Sequence, residues 1–70
     1  MEEYTITLFW DNDAGIWYAT NDEIPMMLES ESIDALIERA KLATPELLEM
    51  NGRTPRCILH FVAERKDEVA

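Results

Sequence analysis

Only one stretch of this 70-residue chain carries a helical period, and segments that read as strands flank it on both sides. Ile33, Leu36, Ile37, Ala40, Ala43 and Leu47 recur at the three- and four-residue spacing of one helix face, while Glu31, Asp34, Glu38, Arg39 and Lys41 fall largely elsewhere. This single amphipathic segment constrains the architecture more than any other feature. A sheet has two faces and one helix covers one of them, so the second is left for another molecule. A second copy of the chain is the simplest candidate.

The ends of the helix are marked locally. Ser32 is a good N-cap, and Asp34 in the first turn favours the positive helix end. Glu38 and Lys41 are three apart and can pair on the surface. Pro45 interrupts the pattern: Thr44 reads as a fresh N-cap, Pro45 as a first helical position and Asn51-Gly52 as a stop. The expectation is a kinked helix or two abutting helices.

Around it lie the strands. Tyr4, Ile6, Leu8 and Trp10 alternate with Thr5, Thr7 and Phe9, giving a first strand over 4–10 with a strongly apolar face. "DNDAG" (11–15) is dense in turn formers and leads into a second strand, "IWYAT" (16–20), so the two should form a hairpin with a loop of about five residues. "NDEIP" (21–25) ends that strand, because Pro25 cannot donate to a central ladder. "MMLES" (26–30) suggests a short third strand. The last strand, roughly 56–64, has Cys57, Leu59, Phe61 and Ala63 on one face and Ile58, His60 and Val62 on the other. Both faces are largely apolar, which predicts a strand that is central or covered on both sides. The fold expected is α+β, a small βββαβ domain with one antiparallel-rich sheet and the helix on one face. The chain forms a single domain, 1–70, with an ordered core of about 2–64 and a fraying tail at 65–70.

Composition narrows the function. A chain this short buries only roughly 60% of the surface it exposes when unfolded, so it needs support. Cys57 is the lone cysteine and His60 the lone histidine, which excludes an intramolecular disulfide and gives no zinc site. Self-association is the remaining support, with a dimer expected. The apolar runs are too short for a membrane span, and "MEEYTITLFW" lacks the basic region of a signal peptide, so a cytoplasmic location is expected. Residues 1–50 hold twelve acidic and two basic residues, a net of −10, and residues 51–70 hold three and four, a net of +1. Such a body repels phosphate backbones and attracts basic partners. Arg53, Arg56, Arg65 and Lys66 form the only basic cluster, and direct nucleic-acid binding is not expected.

No arrangement of catalytic groups stands out. Cys57 and His60 are three apart on a strand and point to opposite faces. Asp11 and Asp13 are spaced like two calcium ligands, but Gly15 stands where the next ligand belongs, so a hairpin turn is expected. The chain is read as a non-enzyme without metal or cofactor. Tryptophans anchor interfaces but also fill small cores, and two of them flanking one hairpin leave room for one to face a partner. Met26 and Met27 add a soft apolar edge that suits a partner, though core filling is the stronger expectation for them. The candidate partner-binding residues are Trp10, Asp11, Asp13, Trp17, Asp22, Glu23, Met26 and Met27.

Several of these segments together carry a resemblance. Trp10-Asp11, Ile16-Trp17, Asp22-Glu23-Ile24-Pro25, Leu36-Ile37-Glu38, Pro45-Glu46-Leu47-Leu48 and Asn51-Gly52 resemble the pattern of a bacterial family of unknown function in the HicB-like antitoxin superfamily, over about 2–64. Met26-Met27 departs from it, standing where that family usually has a glycine and an aliphatic residue. The resemblance implies a partial ribonuclease-H-like fold without the nuclease's active site. It also implies a role in neutralising a small basic HicA-type messenger-RNA-cleaving toxin by covering it. Related antitoxins often carry a C-terminal DNA-binding domain, and with none expected here operon autorepression is not expected. The alternatives are a stand-alone oligomeric structural or sensing protein with no toxin partner, and an acidic nucleic-acid mimic that inhibits a basic enzyme.

Overall fold

The computed structural model describes residues 1–70, with the elements in the order β1 (Glu2–Asp11), β2 (Ile16–Thr20), β3 (Leu28–Ser30), α1 (Ile33–Met50) and β4 (Cys57–Glu64). The four strands form one mixed sheet in the order β3-β2-β1-β4. β1–β2 and β2–β3 are antiparallel, whereas β4 runs parallel to β1. The βββαβ order and the antiparallel-rich sheet with its helix on one face match the sequence expectation.

Alternation and register fix the two faces. Tyr4, Ile6, Leu8 and Ala19 are buried on the helix side, against Leu36, Ala40 and Leu48 of α1. Each large side chain buried there contributes roughly 2 kcal/mol by leaving water. Ile24 and Met26 close the core from the β2–β3 connection. That connection is held by Asn21. Its Nδ2 donates to the Thr5 carbonyl at 2.6 Å, and its Oδ1 accepts from the Glu23 and Ile24 amides, both at 2.7 Å. The β1–β2 ladder stops at Thr7↔Thr20, so the Asn21 side chain supplies a partner that the departing strand no longer offers Thr5.

Three expectations need correction. First, of the two forms expected, α1 is the single helix running through Pro45, and the alternative of two abutting helices is set aside. Thr44 is not an N-cap but a buried residue whose hydroxyl donates to the Ala40 carbonyl at 2.6 Å. Leu36, Ala40, Thr44 and Leu48 form an unbroken buried stripe at four-residue intervals, and Pro45 lies on the exposed side. The Lys41 carbonyl that Pro45 leaves without an amide therefore faces water, and the packed stripe carries the helix through. Second, β4 is an edge strand, bonded only to β1 and covered on one face. Cys57, Leu59 and Phe61 pack on the core, while Ile58 and Val62 on the other face are 48% and 41% exposed. Third, β3 is shorter than expected, because Met26 turns into the core before the strand begins.

The helix ends behave as the sequence indicates. Ser32 Oγ accepts from the Ala35 amide at 3.3 Å. At the other end Gly52 adopts φ +71°, its amide bonds the Glu49 carbonyl at 3.0 Å, and the Arg53 amide bonds the Leu48 carbonyl at 2.8 Å. That pairing is a Schellman stop, which needs the left-handed residue that glycine supplies. Lys41 and Glu38 pair at 3.1 Å on the surface.

Ten residues are buried, a small core for the surface it must hold. The radius of gyration is 13.1 Å, against about 11 Å for a compact chain of this length. The molecule is elongated, 48 Å in its longest dimension. No helix is long and apolar enough to cross a membrane.

Candidate protein-interaction surface

The sequence-derived candidates do not assemble into one site. Trp10, Asp11, Asp13 and Trp17 lie at the β1–β2 tip. Asp22 and Glu23 lie in the β2–β3 connection, where Glu23 pairs with Arg53 at 3.0 Å. Met26 is 6% exposed and packs in the core, whereas Met27 beside it is 96% exposed.

At the tip, the Asp11 carboxylate accepts from the Asp13 and Ala14 amides at 3.0 and 3.2 Å, and the Gly15 amide bonds the Asp11 carbonyl at 2.8 Å. Four residues close the hairpin, one fewer than expected, with Gly15 at φ +67°. The carboxylate thus shapes the turn, as an Asx residue does. Trp10 and Trp17 are cross-strand partners on the helix side of the sheet, with ring centroids 5.4 Å apart and planes tilted by 57°. Trp10 Nε1 donates to Asn12 Oδ1 at 2.5 Å. Arg65 lays its guanidinium 4.2 Å from the Trp10 ring centre and 5.9 Å from that of Trp17, and its Nε bonds Asp67 at 2.8 Å. The aromatic pair is therefore occupied by the chain's own tail. Neither tryptophan is turned to the uncovered face.

Arg53 joins the helix exit to β1. It donates to Tyr4 Oη at 3.4 Å and to Glu23 Oε2 at 3.0 Å, and these bonds, Tyr4 foremost, push its guanidinium pKa above the ordinary value. Burial raises the pKa of the half-buried Cys57 thiol, which disfavours the thiolate. Cys57 and His60 face opposite ways, as the spacing implied: Cys57 packs on the core and His60 is exposed.

The uncovered face presents the most organised surface. Phe9 of β1 stands opposite Tyr18 of β2, with rings stacked at 5.4 Å and 24°. Tyr18 is paired in turn with Glu29 of β3, and Phe9 with Glu64 of β4. Register partners share a face, so one row crosses all four strands as Glu29, Tyr18, Phe9, Glu64. At about 4.8 Å per strand the row spans about 14 Å, an aromatic stack with a carboxylate at each end. Val62 and Thr7 lie beside it in the next row, and Asp11 and Ile16 beyond it on the other side. Next to Tyr18 and Glu29, Met27 and Leu28 line an open groove of ≈ 590 Å³ on the β3 side. Phe9 was expected on this face from alternation. Glu29 and Glu64 were not expected as its flanks, because strand alternation gives the face but only the register gives the row.

Comparison with known proteins returns the same architecture. The chain is similar to a hypothetical protein, TTHA1013, of the extremely thermophilic bacterium Thermus thermophilus, whose crystal structure matches over 99% of both chains at 26% identity and a TM-score of 0.75. No curated protein matches it. A family model described as a domain of unknown function, DUF1902, matches residues 3–70, and the chain belongs to that family.

Proposed function

We propose that the chain is a non-enzymatic interaction module of the HicB-like antitoxin type that binds a small basic protein through its uncovered sheet face. One observation carries this reading: the Glu29–Tyr18–Phe9–Glu64 row on a chain of net charge −9. Aromatic rings set between carboxylates suit arginine and lysine, which stack on the ring face and pair with the flanking acid. The surrounding negative field speeds the approach of such a partner. The motifs from Trp10 to Gly52 supply the antitoxin part of the proposal, with a HicA-type toxin as the partner class.

The test is capture from the native host at low salt, followed by identification of what is retained. Recovery of a short basic protein that releases as salt rises supports the reading. If no basic protein is held, the antitoxin reading fails. A stand-alone self-associating protein is the second reading, favoured by the unpaired edge of β4, and it predicts that the chain assembles with itself while the capture retains no basic protein.

A further inference from the structure

We propose that β4 pairs antiparallel with β4 of a second copy about a two-fold axis at His60, joining two sheets into one of eight strands. The inference is independent of any toxin partner and begins with the contrast between the two sheet edges. β3 is blunted: it is three residues long, and the Arg39 guanidinium donates to the Glu29 carbonyl at 2.6 Å. β4 is eight residues long, and no side chain hydrogen-bonds any of its main-chain groups. Folded proteins protect long edges with proline, lysine, bulges or inward charges. Cys57 to Ala63 has none of these, and the bare stretch is bounded by Pro55 on one side and Arg65-Lys66 on the other.

Charge favours a second copy as the occupant. Two chains of net −9 repel over most of their surface, but the seven residues Cys57 to Ala63 carry no carboxylate or ammonium group. Strands related by a two-fold axis normal to the sheet keep their faces aligned, so an even-numbered residue must lie opposite an even-numbered one. With His60 opposite itself, Ile58 lies opposite Val62 of the other copy, and Leu59 opposite Phe61. Arg56 then lies opposite Glu64 at both ends. A shift of two residues either way removes both Arg56–Glu64 pairs. The pairing at His60 covers two half-exposed aliphatic residues per copy and continues the helix-side core across the joint. Main-chain bonding over the strand adds on the order of eight hydrogen bonds. The Glu29–Tyr18–Phe9–Glu64 rows of the two copies then lie on one continuous face.

A charge-swap cycle read by sedimentation tests this. The wild-type chain should sediment as a dimer of 8.1 kDa subunits at micromolar concentration. Arg56→Glu alone, or Glu64→Arg alone, sets like charges opposite each other twice and should weaken dimerisation about tenfold. Arg56→Glu with Glu64→Arg should restore it. Both positions are exposed, so the monomer fold is spared, and circular dichroism verifies this. In a Cys57→Ser background, His60→Cys should cross-link to its own copy on mild oxidation. A wild-type chain that stays monomeric up to millimolar concentration overturns the proposal. So does a dimer indifferent to the single swaps, or one whose double swap fails to recover.

Discussion

Asn21→Ala is the substitution whose cost the structure defines most sharply. The side chain makes three hydrogen bonds, at 2.6, 2.7 and 2.7 Å, and truncation to alanine removes all three. A protein hydrogen bond contributes about 0.5–1.5 kcal/mol net. Water reaches the Glu23 amide but has less access to that of Ile24, a core residue, so a total near 2 kcal/mol is expected. A chain of this length has roughly 3.5–10 kcal/mol of stability in all. The melting temperature should therefore fall by about 8–16 °C, read by circular dichroism with two-state analysis. Asn21→Asp keeps the acceptor for both amides but sets a carboxylate against the Thr5 carbonyl, so its loss should be at least as large as that of the one donor bond. A fall of less than about 3 °C for Asn21→Ala would refute the claim that this residue anchors the connection and the burial of Ile24 and Met26.

Other substitutions follow from the same geometry. Gly52→Ala puts a side chain at φ +71° with nothing within 4 Å of the new carbon, so the backbone alone is strained and the urea midpoint should drop by the equivalent of about 1 kcal/mol. Leu36→Ala, within the buried stripe, should cost about 3 kcal/mol, read as a drop in the urea midpoint. For Cys57, the folded thiol titrates above the unfolded one. The neutral form is therefore favoured in the fold, and its contribution is complete below the unfolded pKa and lost as pH rises through the folded one. A disulfide reagent at neutral pH should react more slowly with the folded chain than with the unfolded chain, and the wild type should lose more stability on alkalinisation than Cys57→Ala.

Features set by neighbours along the chain were legible in the sequence. Ser32 caps within three residues, Asn51-Gly52 stops the helix within four, and Asp11 shapes the turn that follows it. Pro45 shows where such local reading fails. Its own chemistry signals a helix start, but Leu36, Ala40, Thr44 and Leu48 pack as one stripe, and tertiary burial outweighs the local signal. Met26 takes the core-filling role of the two that its chemistry allowed: its side chain is drawn in by the path that Asn21 imposes. β4 was misplaced for a different reason. An apolar second face is written identically whether the cover comes from the same chain or from another, and strand order is a non-local property. The Glu29–Tyr18–Phe9–Glu64 row depends on three registers at once, none of which is encoded in the spacing of those four residues.

The central claim, that this row is the binding surface, is tested most directly by titrating the captured basic protein into the wild-type chain and into Tyr18→Lys with Glu29→Lys. Both residues are exposed and lie away from β4, so the proposed β4 pairing is not touched, and circular dichroism verifies the fold of the variant. Loss of a central aromatic together with its flanking acid should weaken binding at least about thirtyfold. Unchanged affinity in the double variant would contradict the account.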